Sequence, residues 1–472
     1  MKKQNHVSEK RKRRRKKNER KAIILAVLVV ISVIALAVTL AAFVFKADFF
    51  VGKNREEQKN RQENDAQPEI EVTVEDSTNQ NDRGGELDDT DLGQTDGSNP
   101  DQPDRSTVQK DENVEVLQDV TMIFAGDICF YDAYANMTAL RARGGKIESC
   151  IDEKLLAEMK AADICMVNNE FAYSDRGTPL ADKAFTFCST PSNVSLLHDM
   201  GVDLVSLANN HVYDYGPDAL LDTLDTLKNA DIPYVGAGRD LPEASAVYYF
   251  EKNGRRIAFV SATQVERNEH PDTKGATDTT PGTFRCYTKD EFERLTAVIR
   301  EADAQADLTV VYVHWGTENT DELHWAQIEQ APKIVEAGAD LIIGDHPHCL
   351  QNVEYLNGVP VIYSLGNFWF NSKTLDTCLF KVIYRTDGKL DCRLIPAKQH
   401  DCRTDMENGS EKQRILDYMQ CISPNVTFDQ DGNITNTPYT GPKIDYDAVE
   451  RVPDPPAAAT PLPAADPAGP VP

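Results

Sequence analysis

Six apolar runs in this chain end in residues able to hold a metal ion or to move a proton: Asp127, Glu170, Asn210 with His211, His314, His346 with His348, and Asn367. All but Asn367 carry side chains that serve as metal ligands. Asp, Glu, Asn and His together suit a borderline to hard divalent ion such as Mn, Fe, Zn or Mg, and a carboxylate shared between two ions would set them about 3.5–4 Å apart. One or two such ions would turn a bound water into a nucleophile and offset charge on a phosphoryl group. A nearby imidazole would then protonate the leaving oxygen. His211 fits that last role. Taken singly, a strand-end Asp reads as a helix cap and a lone His as a hydrogen-bonded structural residue. Taken as a set, they point to a metal centre.

Such a set needs elements that bring distant residues to one edge. Between Val120 and about Lys398 the runs "VTMIFAGD", "DICMVNNE", "DLVSLANNH", "IPYVGAG", "RIAFVSAT", "LTVVYVHWG", "DLIIGDHPH" and "VPVIYSLGN" read as strands. They alternate with helix-like stretches such as "DEKLLAEMKAA", "SNVSLLHDMG", "DALLDTLDTLKNA", "DEFERLTAVIREADA" and "WAQIEQAPKIVEAG". This alternation predicts an α/β fold, and the near-continuous Val, Ile and Leu content predicts strands buried on both faces. In open α/β sheets the ligand crevice lies at the carboxyl ends of the strands, where the polar residues fall. Two later runs, "CLFKVIYRT" and "KLDCRLIPA", have no helix between them and read as an antiparallel pair.

Other motifs are excluded or bland. "GAGRD" is a glycine turn after a strand, with no G-x-x-x-x-G-K near it, so no phosphate loop is expected. The ten cysteines include no C-x-x-C, which excludes a zinc ribbon or thioredoxin-type site. Cys129, Cys165 and Cys349 read as buried thiols. Cys378, Cys392, Cys402 and Cys421 lie in a stretch where pairing is open. His198, His270, His324 and His400 lack the strand-end position and read as surface or structural residues.

The whole chain is 472 residues with a formal net charge of −26, yet residues 1–21 form a strongly basic segment. Ala22 to Phe45 follows with no charge and no proline, about 36 Å long as a helix, enough to span a bilayer. Lys46, Asp48, Phe49 and Phe50 come next where a secretory signal would have a cleavage site, so an uncleaved anchor is expected. Basic residues stay on the cytoplasmic side, placing the remainder outside the cell membrane in a single-pass arrangement. Residues 46–119 read as an acidic disordered linker, 120–424 as the globular domain, and 425–472 as an extension ending in a Pro/Ala-rich tail. With everything beyond the basic segment acidic, no nucleic-acid partner is expected.

The motifs Gly126-Asp127, "VNNE", "SLANNHVYDYG", "VGAGRDLPEA", "VHWGTE", "IGDHPH" and "YSLGNF" occur in an order that resembles the CapA family of poly-gamma-glutamate capsule biosynthesis proteins, from about Val120 to Ser423. The family looks like a branch of the calcineurin-like metallophosphoesterase superfamily, which implies a four-layer α/β sandwich with a dinuclear site at strand ends. The resemblance implies that Asp127 stands at the first ligand motif, with Glu170 bridging at the second. It implies Asn210 as a ligand beside His211 as the acid, with His314, His346 and His348 completing the shell and Asn209 and Asn367 orienting ligands. This chain departs from the pattern in three places. Asp127-Ile128-Cys129 stands where Asp-x-His is usual, "NNE" where "NLE" is common, and Asp345 precedes His346, either as a ligand or as a hydrogen-bond partner of a histidine. The resemblance further implies a membrane-anchored role in making or exporting poly-gamma-glutamate with membrane-bound synthetase or export subunits. Contact with the polymer would come from the crevice or from basic residues such as Lys183 and Arg239. An extracytoplasmic phosphoesterase acting on an envelope phosphate, and a non-catalytic scaffold of the same fold, are the alternative readings.

Overall fold

A computed structural model describes residues 117–181, 183–265 and 274–441. The expected basic segment and anchor, nearly all of the linker, His270 and the Pro/Ala tail lie outside these residues. Among the described residues no helix is long and apolar enough to cross a membrane.

The apolar runs form strands where predicted, joined by Tyr248–Lys252, Val353–Leu356, Arg403–Met406, Thr427–Phe428 and Asn433–Thr435, which the runs did not include. In chain order they are β1 (Val120–Ile128), β2 (Ile164–Asn169), β3 (Leu204–Ser206), β4 (Tyr234–Val235), β5 (Tyr248–Lys252), β6 (Arg255–Thr263), β7 (Leu308–His314) and β8 (Leu341–Asp345). They continue with β9 (Val353–Leu356), β10 (Val359–Ile362), β11 (Asn367–Trp369), β12 (Leu375–Tyr384), β13 (Leu390–His400), β14 (Arg403–Met406), β15 (Thr427–Phe428) and β16 (Asn433–Thr435). Ten of these make one sheet in the order β15-β16-β13-β12-β1-β2-β3-β4, with β11 on β1 and β14 on β13; six make a second in the order β9-β10-β8-β7-β6-β5. The fold is therefore mixed α/β with more than one sheet. In the first sheet β1 to β4 run parallel, as do β6, β7, β8 and β10 in the second. The β12–β13 pair is antiparallel, as the missing helix implied.

Two features differ from the sequence expectation. "VPVIYSLGN" is not one strand: Val359–Ile362 belongs to the six-stranded sheet, and the chain then crosses so that Asn367 pairs with Asp127 in the other. Gly366 makes the crossing with φ +68, a conformation L side chains rarely adopt. Gly126 must also be glycine, because an added Cβ would stand 1.9 Å from the Gly366 carbonyl oxygen. Second, the body does not end at residue 424. β16 pairs with β13, since Ile434 gains a buried position beside Leu394 and Cys392 that a solvated extension would forgo.

Side chains on alternate positions of each strand go to different cores. Met122, Phe124, Met166 and Leu204 of the first sheet share a cluster with Ile257, Phe259, Val310, Tyr312 and Ile343 of the second. The opposite faces take helices. Ile123, Ala125, Cys165 and Val205 meet Leu155 and Met159 of α1 (Glu153–Ala161) and Leu220 and Leu224 of α2 (Pro217–Asn229). Val260, Val311 and Ile342 meet Leu295 and Ile299 of α3 (Lys289–Asp303) and Ile334 of α4 (Trp325–Glu336). Helix α3 starts at a capping box in which Thr288 and Glu291 satisfy each other's backbone N–H. Leu295, Ile299 and Ala302 then fall on one buried stripe.

Candidate metal centre

Strand register does most of the assembly. Asp127 lies opposite both Asn168 and Asn367, and His314 lies opposite Asp345. Two hydrogen bonds tie the sheets together close to these ends: Ser206 to Ser261 at 2.8 Å and the Tyr312 hydroxyl to the Ala125 carbonyl at 3.1 Å. The carboxyl ends of β1, β2, β7 and β8 thereby meet.

All ten sequence-selected residues converge there, and all but His348 are buried. The Asp127 and Glu170 carboxylates and a ring nitrogen of His314 lie within 4.8 Å of one another, and so do Glu170, His346 and His348. Glu170 is common to both groups. The Asn210 Oδ1 is 2.7 Å from His314 Nε2, and His346 Nδ1 is 3.1 Å from the same nitrogen. His348 Nδ1 sits 3.0 Å from Asp127 Oδ2 and 2.8 Å from Asn367 Oδ1. Asn209 donates to Asn168 Oδ1 and to the Asn169 carbonyl, both at 2.9 Å, and its own Oδ1 accepts from the backbone N–H of His211 and Val212. It thus fixes the turn carrying Asn210 and His211. Asp345 shares a 2.7 Å hydrogen bond with His314 Nδ1, so its histidine contact is observed. His346 and His348 have φ of +93 and +58, backbone positions that cost energy in non-glycine residues and that cluster at functional sites.

Sequence reasoning missed three residues. Asn168 donates to Asp127 Oδ1 at 2.8 Å and lies 3.3 Å from Glu170 Oε2; its place one strand over from Asp127 was the available signal. Asp214 holds His211 Nδ1 at 2.7 Å, and the three-residue spacing in "HVYD" pointed to it. Gln264 follows the end of β6 and is buried. Cys129 is buried and outside both ligand groups; burial pushes its thiol well above the ordinary range. Lys183 and Arg239 are not available to grip an anion. Lys183 pairs with Asp214 at 2.6 Å with its side chain only 6% exposed, and Arg239 pairs with Asp225 and Glu243. Cys378, Cys392 and Cys402 are free thiols.

Burial sets the charge states. It pushes Glu170 well above the ordinary carboxylate range, with the charges of Asp127 and Asp345 adding to the effect. Asp345 is raised by burial and then by Asp127. Burial takes His314 down to about 3 and His346 well below its usual value, so both are neutral, the form that ligates. Burial works against His348 too, but its hydrogen bond to Asp127 raises it overall, and the same bond holds Asp127 low despite burial.

These residues fit a divalent metal ion. Glu170 Oε1 and Asp345 Oδ2 are buried with no hydrogen-bond partner, and such orphaned acceptors are costly unless something positive meets them. Around His314 Nε2 stand Asn210 Oδ1, His346 Nδ1 and, at 3.7 Å, Glu170 Oε1. A neutral imidazole nitrogen brings at most one proton to the Asn210 and Glu170 oxygens beside it. A cation resolves that crowding.

Fold and site together define an α/β protein with a strand-end cluster of carboxylates, imidazoles and amides compatible with a metal ion. Residues 121–372, more than half of the chain, match the family described as bacterial capsule synthesis protein PGA_cap, and the chain belongs to that family. It is 32% identical over 241 residues to the PGA biosynthesis protein CapA of Bacillus subtilis (strain 168), covering 50% of this chain and 61% of that protein. It is 32% identical over 240 residues to the capsule biosynthesis protein CapA of Bacillus anthracis, covering 50% and 57%. A probable polyglutamine synthesis accessory protein of Mycobacterium tuberculosis (strain ATCC 25618 / H37Rv) is 27% identical over 213 residues, covering 44% and 56%. The chain thus spans about three fifths of the length of these relatives.

Proposed function

We propose that this chain takes part in the making or export of poly-gamma-glutamate. In this reading it is a single-pass membrane protein, N-terminus cytoplasmic and globular domain extracytoplasmic, working beside membrane-bound synthetase or export subunits and the polymer. Its strand-end cluster holds one or two divalent ions through Asp127, Glu170, Asn210, His314, His346 and His348. The family membership and the names of the relatives support the role. The observation that carries the metal site is Glu170, shared by two ligand groups and left with an orphaned buried oxygen. We read the two sheets and their flanking helices as a four-layer sandwich, supported by one core between the sheets and one on each outer face.

A second reading, metal-dependent hydrolysis of an envelope phosphate, is favoured by His211. Asp214 holds its Nδ1, leaving Nε2 on the Glu170 side at 3.8 Å, where it can give or take a proton. A bound divalent ion supplies Lewis acidity and lowers the pKa of a bound water.

Elemental analysis of the detergent-purified full chain tests the metal site. About one or two ions per chain are expected, lost in the double variant His346→Ala, His348→Ala; no metal in the parent after reconstitution with Mn, Fe, Zn or Mg overturns it. The role is tested in Bacillus subtilis lacking its PGA biosynthesis protein CapA. Restored polymer with the parent chain supports it, and a folded, membrane-located chain that restores none refutes it. Phosphate release from model esters by the metal-loaded parent, lost in His211→Ala, would favour the second reading.

A further inference from the structure

A cleft of about 460 Å³ opens beside the cluster, with Asn210 and His346 in its lining. Its walls include Gln264, Tyr287, Glu318 and Trp325. Gln264 is set by the fold: its backbone N–H donates to the His314 carbonyl at 2.8 Å, one residue past the Thr263–His314 pairing. The residue is 3% exposed, and its amide is not among the polar groups sealed from solvent without a partner. Its amide therefore opens onto the cleft, with a donor and an acceptor available to a ligand there. Trp325 is the opposite case. It stands 53% exposed at the start of α4, a flat apolar surface that a ligand in the cleft would cover.

The lining holds no lysine or arginine among the described residues, and its one carboxylate is Glu318. These walls therefore do not match a free phosphate or carboxylate. A primary amide matches best with another amide, giving an N–H to its oxygen and taking one from its N–H. We infer that the cleft is a subsite for an amide-linked chain: Gln264 pairs with a backbone amide of the chain, Trp325 covers the methylene groups between amides, and anionic substituents face solvent or the cluster. This rests on the polymer reading above, and it assigns the γ-glutamyl amide as the group recognised.

Trp325 supplies the reporter, since the other two tryptophans, Trp315 and Trp369, are fully buried. The full chain in detergent would be titrated with a γ-linked glutamate pentamer and with the same pentamer carrying its α-carboxylates as carboxamides. Tryptophan emission would be followed in the parent and in Gln264→Leu. For Trp325→Ala, which lies on the surface and spares the core, a fluorescein-labelled pentamer would be followed by polarisation. Saturable binding in the parent is expected, weakened about tenfold or more in each variant. Unchanged binding in both variants, with native circular dichroism, overturns the subsite and leaves the polymer reading standing. Binding of the uncharged pentamer alone supports the subsite and sinks the polymer reading. Binding of neither pentamer overturns the subsite.

Discussion

Glu170 is the residue on which the centre turns. Its pKa is raised in the folded chain above the ordinary 4.5, by burial first, so the folded metal-free state keeps a proton that the unfolded state releases. Through this residue, metal-free protein should lose stability as pH rises above the ordinary carboxylate range. Glu170→Gln carries no such proton. In chelator its unfolding midpoint should fall less than the parent's between roughly pH 4.5 and 7; parallel curves would show that Glu170 is not buried as described. With metal restored at pH 7, the parent should gain thermal stability by mass action and Glu170→Gln should not. Asp214 makes a separate case. It holds His211, the Phe187 backbone N–H and the Lys183 ammonium. Asp214→Ala leaves that lysine buried with the Asn210 carbonyl but no counter-charge and should cost about 3–5 kcal/mol in denaturant unfolding. Lys183→Met should cost clearly less, because Asp214 keeps its other two donors. Equal losses would mean that the ion pair, rather than the uncompensated charge, dominates. Ligand-type residues at strand ends were legible in the sequence because they interrupt apolar runs. Asn168 and Asp214 were harder to see, because they act through a neighbour: strand register and the three-residue spacing in "HVYD" hint at the contacts, but residue type alone does not single them out.

At the scale of elements, the strand runs were legible because burial on both faces leaves little room for polar residues, and the helices because their apolar stripe repeats every three or four positions. What the sequence could not show was partition between sheets. "VPVIYSLGN" has uniform apolar character, yet it serves two sheets, and nothing in its periodicity marks the crossing at Gly366. That crossing places Asn367 opposite Asp127 and so closes the centre from the β11 side. It depends on close approach between two glycines. Gly126→Ala would drive a methyl group onto the Gly366 carbonyl, a backbone atom that cannot swing aside. The expected loss is more than about 3 kcal/mol, together with weakened metal retention, since Asp127 and Asn367 are the next residues on each strand. Native stability with normal metal content in that variant would show that β1 and β11 do not approach as described.

The whole molecule poses a question of charge. A chain of net charge −26 repels a polyanion at long range, and the two cations first suggested as a grip, Lys183 and Arg239, are spent on carboxylates. In the proposed role, encounter between domain and polymer would rest on short-range contacts and on the proposed anchor holding the domain where the polymer emerges. The proposed topology follows from the basic block before Ala22–Phe45, which the positive-inside rule keeps in the cytoplasm. Protease added to intact protoplasts expressing an N-terminally tagged full chain should therefore remove the globular domain and leave a short membrane-bound tagged fragment. Inverted vesicles should give the opposite result, the domain protected and the tag lost. A domain intact on protoplasts but cut in inverted vesicles would put the centre on the cytoplasmic side, and with it the polymer contact proposed for the cleft would have to occur before export.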